Sequence, residues 1–222
     1  MVLKHVFNLF NKLKTRFGDT KMQVNIDHVL FWMDAIRNSD DRYRTLESFW
    51  KGQVNSKLWL IENLIKCASV TPNNIVIHGG WNGVLSSLLF QSEINLDRII
   101  SLDIDQSCEE TSRTVNKIEE MLGKFKAITC DMIEYQYEFF PDIVINTSCE
   151  HISQHSYERW LENVPNESLI VLQSNNYFEL DEHIRCASNL TEFIEQSKIK
   201  IISADTLELP KYNRFMLIGS KI

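Results

Sequence analysis

In the last two-thirds of the chain, short apolar runs alternate with amphipathic stretches. Runs rich in β-branched residues predict strands over 75–78, 98–102, 126–130, 142–145, 169–172, 198–203 and 214–220. Positions with a helical period predict helices over 83–91, 105–122, 153–163 and 189–196. The strands are almost continuously apolar, as strands covered on both faces are. This alternation predicts an α/β fold with a doubly wound sheet.

The first third of the chain is predicted to be helical. Apolar periods fit helices over 27–37 and from Ser56, as an N-cap, to about residue 65. Residues 1–70 are therefore predicted as an N-terminal helical cover, and residues 71–222 as the α/β domain. The first 21 residues carry five basic residues against one aspartate and predict a short basic amphipathic helix. Packing of this helix on the body is favoured over binding of a membrane surface or partner.

Composition narrows the class of protein. The 222 residues have a formal net charge of −7 and 44% hydrophobic residues, which are ordinary globular proportions. No apolar run approaches the roughly 18 residues of a membrane span, and an acidic chain is a poor candidate for gripping nucleic acid. Five cysteines without a C-x-x-C pair indicate a reducing compartment, so we expect a cytoplasmic protein.

Candidate chemistry follows the predicted strands, because ligands of doubly wound sheets bind beyond the carboxyl ends of the strands. Three of the seven glycines stand together after the first strand, in a segment that is either a ligand loop or a tight turn. Asp103 follows the second strand, about 20 residues beyond that loop, where a carboxylate can bind ribose hydroxyls. The alternative is that one aspartate is merely the N-cap of the next helix, and both roles are compatible, with Asp103 as ribose ligand and Asp105 as cap. Asp131 follows the third strand, where it could bind the amine of adenine.

From about residue 75 to 222 the chain resembles the class I S-adenosylmethionine-dependent methyltransferases. The glycine loop, Asp103 and Asp131 carry the resemblance, together with the segment 142–152, which ends in Glu150-His151-Ile152. That segment looks like the fourth-strand motif of small-molecule methyltransferases of quinone biosynthesis. The two closing strands look like the final antiparallel hairpin of this family. The resemblance implies a Rossmann-like seven-stranded sheet, mostly parallel with an antiparallel last strand, and S-adenosylmethionine as cofactor.

The resemblance also implies roles for individual residues, although the loop departs from the usual acidic-x-Gly-x-Gly-x-Gly. Ile77 stands at the acidic position and Trp81 at the middle glycine, so His78, or a carbonyl after the fourth strand, would replace the missing carboxylate. Asp103 would hold the ribose, and Ile104 would flank the adenine. The other implied cofactor contacts are Gly79, Gly80, Trp81 and Gly83 at the methionine part, Asp131 and Met132 at the adenine edge, and Asn146 and Ser148 at the sulfonium.

Glu150 and His151 are the candidates for a general base, because the dipeptide directly follows a strand end that would face the methyl group. A structural role for the pair is equally open. A metal site formed by Cys149, His151 and His155 is less favoured, as is Cys149 as a nucleophile, and no metal is predicted.

Polar residues after the fifth strand indicate where an acceptor would bind. Asn175, Asn176 and Tyr177 are the candidates there, with Gln53, Ser56 and Lys57 as a cover, although a plain hydrophilic loop is the alternative. The fourth strand is followed by neither the Pro-Pro-aromatic stretch nor the Pro-Cys of DNA-base methyltransferases. We therefore expect a small-molecule substrate, namely a small polar metabolite. A protein or peptide side chain is the second candidate. The alternative is a non-catalytic adenosylmethionine-fold protein that binds a partner or a membrane surface through its basic N-terminal helix. A homodimer stays open.

Overall fold

A seven-stranded mixed sheet forms the centre of the chain in a computed structural model, which describes residues 25–69, 71 and 73–222. Its strands are β1 Asn73–His78, β2 Leu96–Asp103, β3 Phe125–Thr129, β4 Ile143–Asn146, β5 Leu169–Asn175, β6 Ile199–Glu208 and β7 Asn213–Lys221. The spatial order is β3-β2-β1-β4-β5-β7-β6. Among these seven strands, β7 runs opposite to the other six and pairs antiparallel with β5 on one side and β6 on the other. The predicted α/β class and the antiparallel last strand are confirmed.

Helices precede the sheet and cover it. They are α1 Ile26–Asn38, α2 Arg42–Ser48, α3 Lys51–Leu64, α4 Val84–Phe90, α5 Ser107–Val115, α6 Lys117–Met121, α7 Gln154–Asn163 and α8 Leu190–Ser197, with a 3-10 turn at Cys149–His151. The basic helix predicted over the first 21 residues lies outside the described residues. The division of the chain after residue 70 stays a prediction.

One face of the sheet shares its core with the front helices. Trp32 of α1 and Leu60 of α3 are buried in the same apolar cluster as Ile75 of β1. The indole Nε1 of Trp32 also donates a hydrogen bond to Ser87 Oγ in α4, at 3.0 Å. The front helices are thereby fixed against the sheet and reach its carboxyl edge.

Among the boundaries that differ from the sequence prediction, three have a clear physical reason. Helix α3 begins five residues before Ser56, which is buried inside it instead of capping it. The predicted helix 105–122 is two helices, because the backbone of Asn116 leaves the helical region (φ −111°, ψ 32°); its side chain donates to Gly83 O at 3.0 Å and Ser112 O at 2.9 Å. Strand β5 continues past Leu172 to Asn175, because these polar residues still pair with β7.

Candidate active site

The glycine loop packs directly on the ends of two strands. Gly79 and Gly83 have φ values of +68° and +71°, and Trp81 between them has +49°. A Cβ on Gly79 would lie 2.0 Å from Ser148 Oγ beyond β4, and a Cβ on Gly80 would lie 1.9 Å from a side-chain oxygen of β2. The first role of Gly79 and Gly80 is therefore this close packing. Trp81 is the exception, because a bulky side chain at positive φ is strained by about 1–3 kcal/mol, and such strain often marks functional sites.

Asp103 holds this loop from the end of β2. Its Oδ2 accepts a hydrogen bond from the Trp81 backbone N–H at 2.7 Å, and its Oδ1 accepts one from Asp105 N–H at 3.0 Å. Asp105 in turn accepts from the Ser107 N–H at the start of α5, at 2.9 Å. Asp105 therefore caps the start of α5, and Asp103 holds the backbone of the glycine loop. Each Asp103 oxygen keeps a second lone pair for a ligand hydroxyl.

An exposed apolar side chain lies beside Asp103. Ile104 is 72% exposed, although it directly follows a buried strand. On the neighbouring strand ends, Asp131 Oδ1 accepts from Ile133 N–H at 2.9 Å, and Met132 Sδ lies 3.4 Å from Asn146 Nδ2. The segments after β2 and β3 therefore carry the carboxylates of Asp103 and Asp131, and the uncovered side chain of Ile104 directly follows Asp103.

His78 lies in an aromatic core cluster and not in the loop. Its ring makes edge contacts with Tyr135, Tyr137 and Trp160, at centroid distances of 5.6–6.0 Å. Its Nε2 lies 3.2 Å from the Tyr137 hydroxyl. The residue is 0% exposed, and burial lowers the pKa of its imidazole to about 3. His78 is therefore a neutral core side chain, and we leave it out of the proposed site.

Asn146 and Ser148 shape the turn after β4. Asn146 is fully buried, and its Oδ1 accepts from the Ser148 N–H at 3.0 Å. Thr147 between them donates from Oγ1 to Gly79 O at 3.2 Å. Asn146 thus supports the turn from below, while Ser148 lies against the glycine loop.

The 3-10 turn divides the Glu-His pair between two environments. Glu150 is 2% exposed; its Oε1 accepts from Asn175 Nδ2 at 2.6 Å and lies 3.6 Å from Arg214 Nη2. His151 is exposed, and its ring centroid lies 4.8 Å from that of His183. Glu150 is therefore an inner, supporting side chain, and His151 faces the outside of the candidate site.

The cysteine candidate has no suitable chemistry. Cys149 is fully buried, and burial raises the pKa of its thiol to about 12, so it is a poor nucleophile at neutral pH. In the described part of the chain, the residues grouped closely enough to hold a metal ion are Glu150, His151 and His183. Cys149 and His155 do not belong to this group.

The three predicted acceptor residues are not equivalent. Asn175 is buried, and its Oδ1 accepts from the Tyr177 N–H at 2.8 Å, in addition to its bond to Glu150. Asn176 Oδ1 accepts from the Asn213 N–H at 2.7 Å and ties the loop to β7. Tyr177 is half-exposed, with its ring 5.4 Å from that of Tyr212. Tyr177 differs from the two amides because its hydroxyl is hydrogen-bonded to the Glu179 carboxylate, which raises the pKa of the phenol, and not to the backbone.

Helix α3 reaches the same edge of the sheet. Gln173 Oε1 accepts from Ser56 Oγ and from Arg214 Nε, both at 3.3 Å. Lys57 Nζ donates to Gln53 Oε1 at 3.1 Å. Burial, and secondarily the charge of Arg214, lower the pKa of the Lys57 ammonium to about 7. The predicted cover residues thus lie at the ends of β5 and β7, near the Arg214 guanidinium.

Sequence reasoning missed Arg214 and gave His183 no role. Arg214 is buried inside a strand and donates from Nη2 to Thr147 O at 3.0 Å, so it links β7 to the turn after β4. A charged residue in an otherwise apolar strand is the signal that could have found it. His183 gives no such signal, because it stands in a polar loop far from Glu150 in sequence.

Comparison with known proteins supports the fold. No family model and no curated protein matches the sequence. Solved structures do match: the N-methyltransferase NodS from Bradyrhizobium japonicum WM9, in complex with S-adenosyl-L-homocysteine, has a TM-score of 0.62 at 10% identity over 86% of this chain and 98% of that one. The chain has the class I methyltransferase fold.

Two further structures with this fold show how far the similarity extends. The PH0226 protein from Pyrococcus horikoshii OT3 has a TM-score of 0.60 at 12% identity, over 77% of this chain and 92% of that chain. A variant of MtNAS in complex with S-adenosylmethionine has a TM-score of 0.54 at 18% identity, over 88% of this chain and 72% of that chain. At these identities the methyltransferase fold is shared, while function has to be argued from the site.

Proposed function

We propose that this protein is an S-adenosylmethionine-dependent methyltransferase that acts on a small polar molecule. One observation carries the proposal: Asp103 ends β2 beside the glycine loop, with the exposed Ile104 next to it, in a sheet of order β3-β2-β1-β4-β5-β7-β6. Solved structures with this fold were determined with S-adenosyl-L-homocysteine and with S-adenosylmethionine. Both lines support the same cofactor.

The donor set at this edge fits that cofactor. The ribose needs acceptors, which the Asp103 oxygens supply beyond their two backbone bonds. The adenine ring needs an apolar contact, and Ile104 is uncovered where one is required. Asp131 would accept from the adenine amine next to Met132. The methionine part would lie along Gly79 to Gly83, with Ser148 close to the sulfonium.

When bound, the cofactor supplies an electrophilic methyl group on a sulfonium, which is transferred by in-line displacement. The task of the protein is then to align the acceptor and exclude water. We propose that Glu150 and Asn175 hold the turn that faces the acceptor, and that His151 lies on the acceptor side. Its exposed imidazole is in a position to accept a proton from an acceptor that arrives protonated.

The acceptor side holds two nitrogen donors. Lys57 and Arg214 lie near one another, and the carboxylate close to Arg214 is Glu150. This pair of donors favours a polar acceptor. A nucleic acid acceptor is disfavoured by the acidic net charge of −7. Among the helices of the described residues, none combines the length and the apolar character that crossing a bilayer requires.

Calorimetric titration with S-adenosylmethionine and S-adenosylhomocysteine tests the proposal. We expect a dissociation constant in the low-to-middle micromolar range, about −7 to −8 kcal/mol. Asp103→Ala should weaken binding by about 1.5–3 kcal/mol, because charge-assisted hydrogen bonds to the ribose are lost. Ile104→Ala should weaken binding without lowering the melting temperature, because its side chain is exposed before the ligand binds.

Asp97→Ala is the matched control, since Asp97 is an exposed carboxylate near the opposite end of the same strand. This variant should bind like the wild type. Absence of both heat and thermal shift at millimolar ligand would exclude the proposed function. Equal affinity of the Asp103 and Asp97 variants would leave Asp103 with a purely structural role.

A further inference from the structure

Three potential metal ligands meet on the acceptor side of the candidate site. A carboxylate oxygen of Glu150 and one ring nitrogen each of His151 and His183 lie within 4.8 Å of one another. The first two belong to the turn after β4, and His183 belongs to the loop after β5. Two imidazoles and one carboxylate form a ligand set that first-row divalent metal ions accept. Ligands about 2.1 Å from one ion are about 3–4 Å apart, so a small movement of the exposed His151 would close the set.

A hydrogen bond to the backbone holds the imidazole ring of His183. Its Nδ1 lies 2.7 Å from the carbonyl oxygen of Tyr177. A carbonyl can only accept, so Nδ1 must carry the proton, and the lone pair of the neutral ring is then on Nε2. Metal-binding histidines almost always use their other nitrogen in this way, because the hydrogen bond fixes both the tautomer and the ring orientation.

One carboxylate oxygen of Glu150 has no hydrogen-bond partner among the described residues. Its Oε1 is bound by Asn175 Nδ2, whereas Oε2 is buried without a hydrogen-bond partner among the described residues. An unpaired carboxylate oxygen in a residue that is 2% exposed costs free energy, which a cation would offset. Asn175 and Arg214 fix the carboxylate from its other side, as supporting residues of metal sites do.

We propose that Glu150, His151 and His183 bind one divalent transition-metal ion. Imidazole ligands favour Zn²⁺ and other later first-row ions over Ca²⁺ and Mg²⁺, and the carboxylate also suits Mn²⁺. Arg214 lies 3.6 Å from the Glu150 carboxylate, and its positive charge partly offsets the attraction of this group for a cation. We therefore expect micromolar rather than nanomolar affinity for the metal ion. Three protein ligands leave coordination positions for an oxygen of the acceptor. That last role rests on the proposed function, and in it the metal replaces His151 as the group that promotes ionisation of the acceptor.

Metal titration of the full chain tests the inference directly. Protein stripped with EDTA and dialysed is titrated with ZnCl₂ by calorimetry, and with MnCl₂ by loss of the free Mn²⁺ signal in electron paramagnetic resonance. We expect one bound ion per chain. His183→Ala and His151→Ala should each weaken binding about 100-fold or more, since loss of a mere supporting residue costs about 10- to 100-fold. Neither change removes a fully buried side chain, so both variants should fold.

His155→Ala is the matched control, because it removes an exposed histidine of α7 outside the cluster. It should bind metal like the wild type. Binding that is absent at millimolar metal, or unchanged in His183→Ala, or lost in His155→Ala, would overturn the inference. Titration with S-adenosylhomocysteine separates the two proposals: a protein that binds this ligand but no metal refutes only the metal site, and one that binds metal but not this ligand refutes only the methyltransferase assignment.

Discussion

Replacing His78 with glutamine should make the folded protein less sensitive to acid. Burial lowers the pKa of the His78 imidazole from 6.5 to about 3. Between these values the unfolded chain binds a proton at this position and the folded protein does not. Stability therefore falls as the pH falls through this window. The loss from this one group is about 2 kcal/mol at pH 5 and approaches about 4–5 kcal/mol near pH 3.

Urea denaturation at pH 7, 6 and 5 measures this loss. The His78→Gln variant removes the imidazole but retains an amide that can reach the Tyr137 hydroxyl, so it should lose about 2 kcal/mol less than the wild type between pH 7 and 5. All other titrating groups are shared, and their contributions cancel in this difference.

Tyr137→Phe is the control for the hydrogen bond, because it removes the hydroxyl 3.2 Å from His78 Nε2 and keeps the titrating ring. Its stability should be lower than that of the wild type but should follow the same dependence on pH. Parallel curves for His78→Gln and the wild type would refute the buried neutral imidazole. Affinity for S-adenosylhomocysteine at pH 7.5 should be the same in His78→Gln and the wild type, and a tenfold loss would return His78 to the cofactor site.

Three further predictions concern the stability of variants at the site, each with its comparison. Gly79→Ala combines a positive φ with a Cβ 2.0 Å from a serine oxygen and should cost about 2 kcal/mol or more in urea denaturation, whereas Gly52→Ala, whose Cβ has no described atom within 4 Å, should gain about 0.5–1 kcal/mol. Lys57→Met should raise stability by about 1–2 kcal/mol below pH 7, after allowance for its partial exposure, and the gain should vanish above about pH 10.5, because the folded state lowers the pKa of this lysine. Thermal melts should show that Glu150→Ala costs about 1–3 kcal/mol, while His151→Ala leaves the melting temperature nearly unchanged; equal losses would contradict their different burial.

The pattern of apolar residues was sufficient to predict the sheet, because a strand buried on both faces leaves few positions for polar residues. For the same reason, the apolar pattern did not predict where β5 ends, because the last residues of this strand are polar. Gln173 and Asn175 are polar and lie inside the strand, where Gln173 Oε1 accepts from Arg214 and Asn175 Nδ2 donates to Glu150. Hydrogen bonds between distant residues make these positions compatible with a buried strand, and no local pattern records such partners.

The glycine loop shows the corresponding limit for the site. Its glycines predicted close approach of the backbone to something, and that expectation is sound. What the sequence does not contain is the identity of the neighbour, since Ser148 stands 69 positions after Gly79. Close packing on a strand end and close packing on a ligand require the same small residues. Only Asp103 and Ile104, whose carboxylate and side chain remain accessible, distinguish a ligand edge from a tight turn.

The described edge of the sheet therefore has two layers with different consequences for substitution. The buried layer includes Glu150, Asn175 and Arg214, which hold one another, so changes there should reduce stability and function together. The outer layer includes Ile104 and His151, which are exposed and contribute little to stability. Neighbours in sequence, such as Glu150 and His151, fall in different layers because the short 3-10 turn rotates one side chain inward and the next outward. Substitutions in the outer layer are consequently the ones that separate loss of binding from loss of folding.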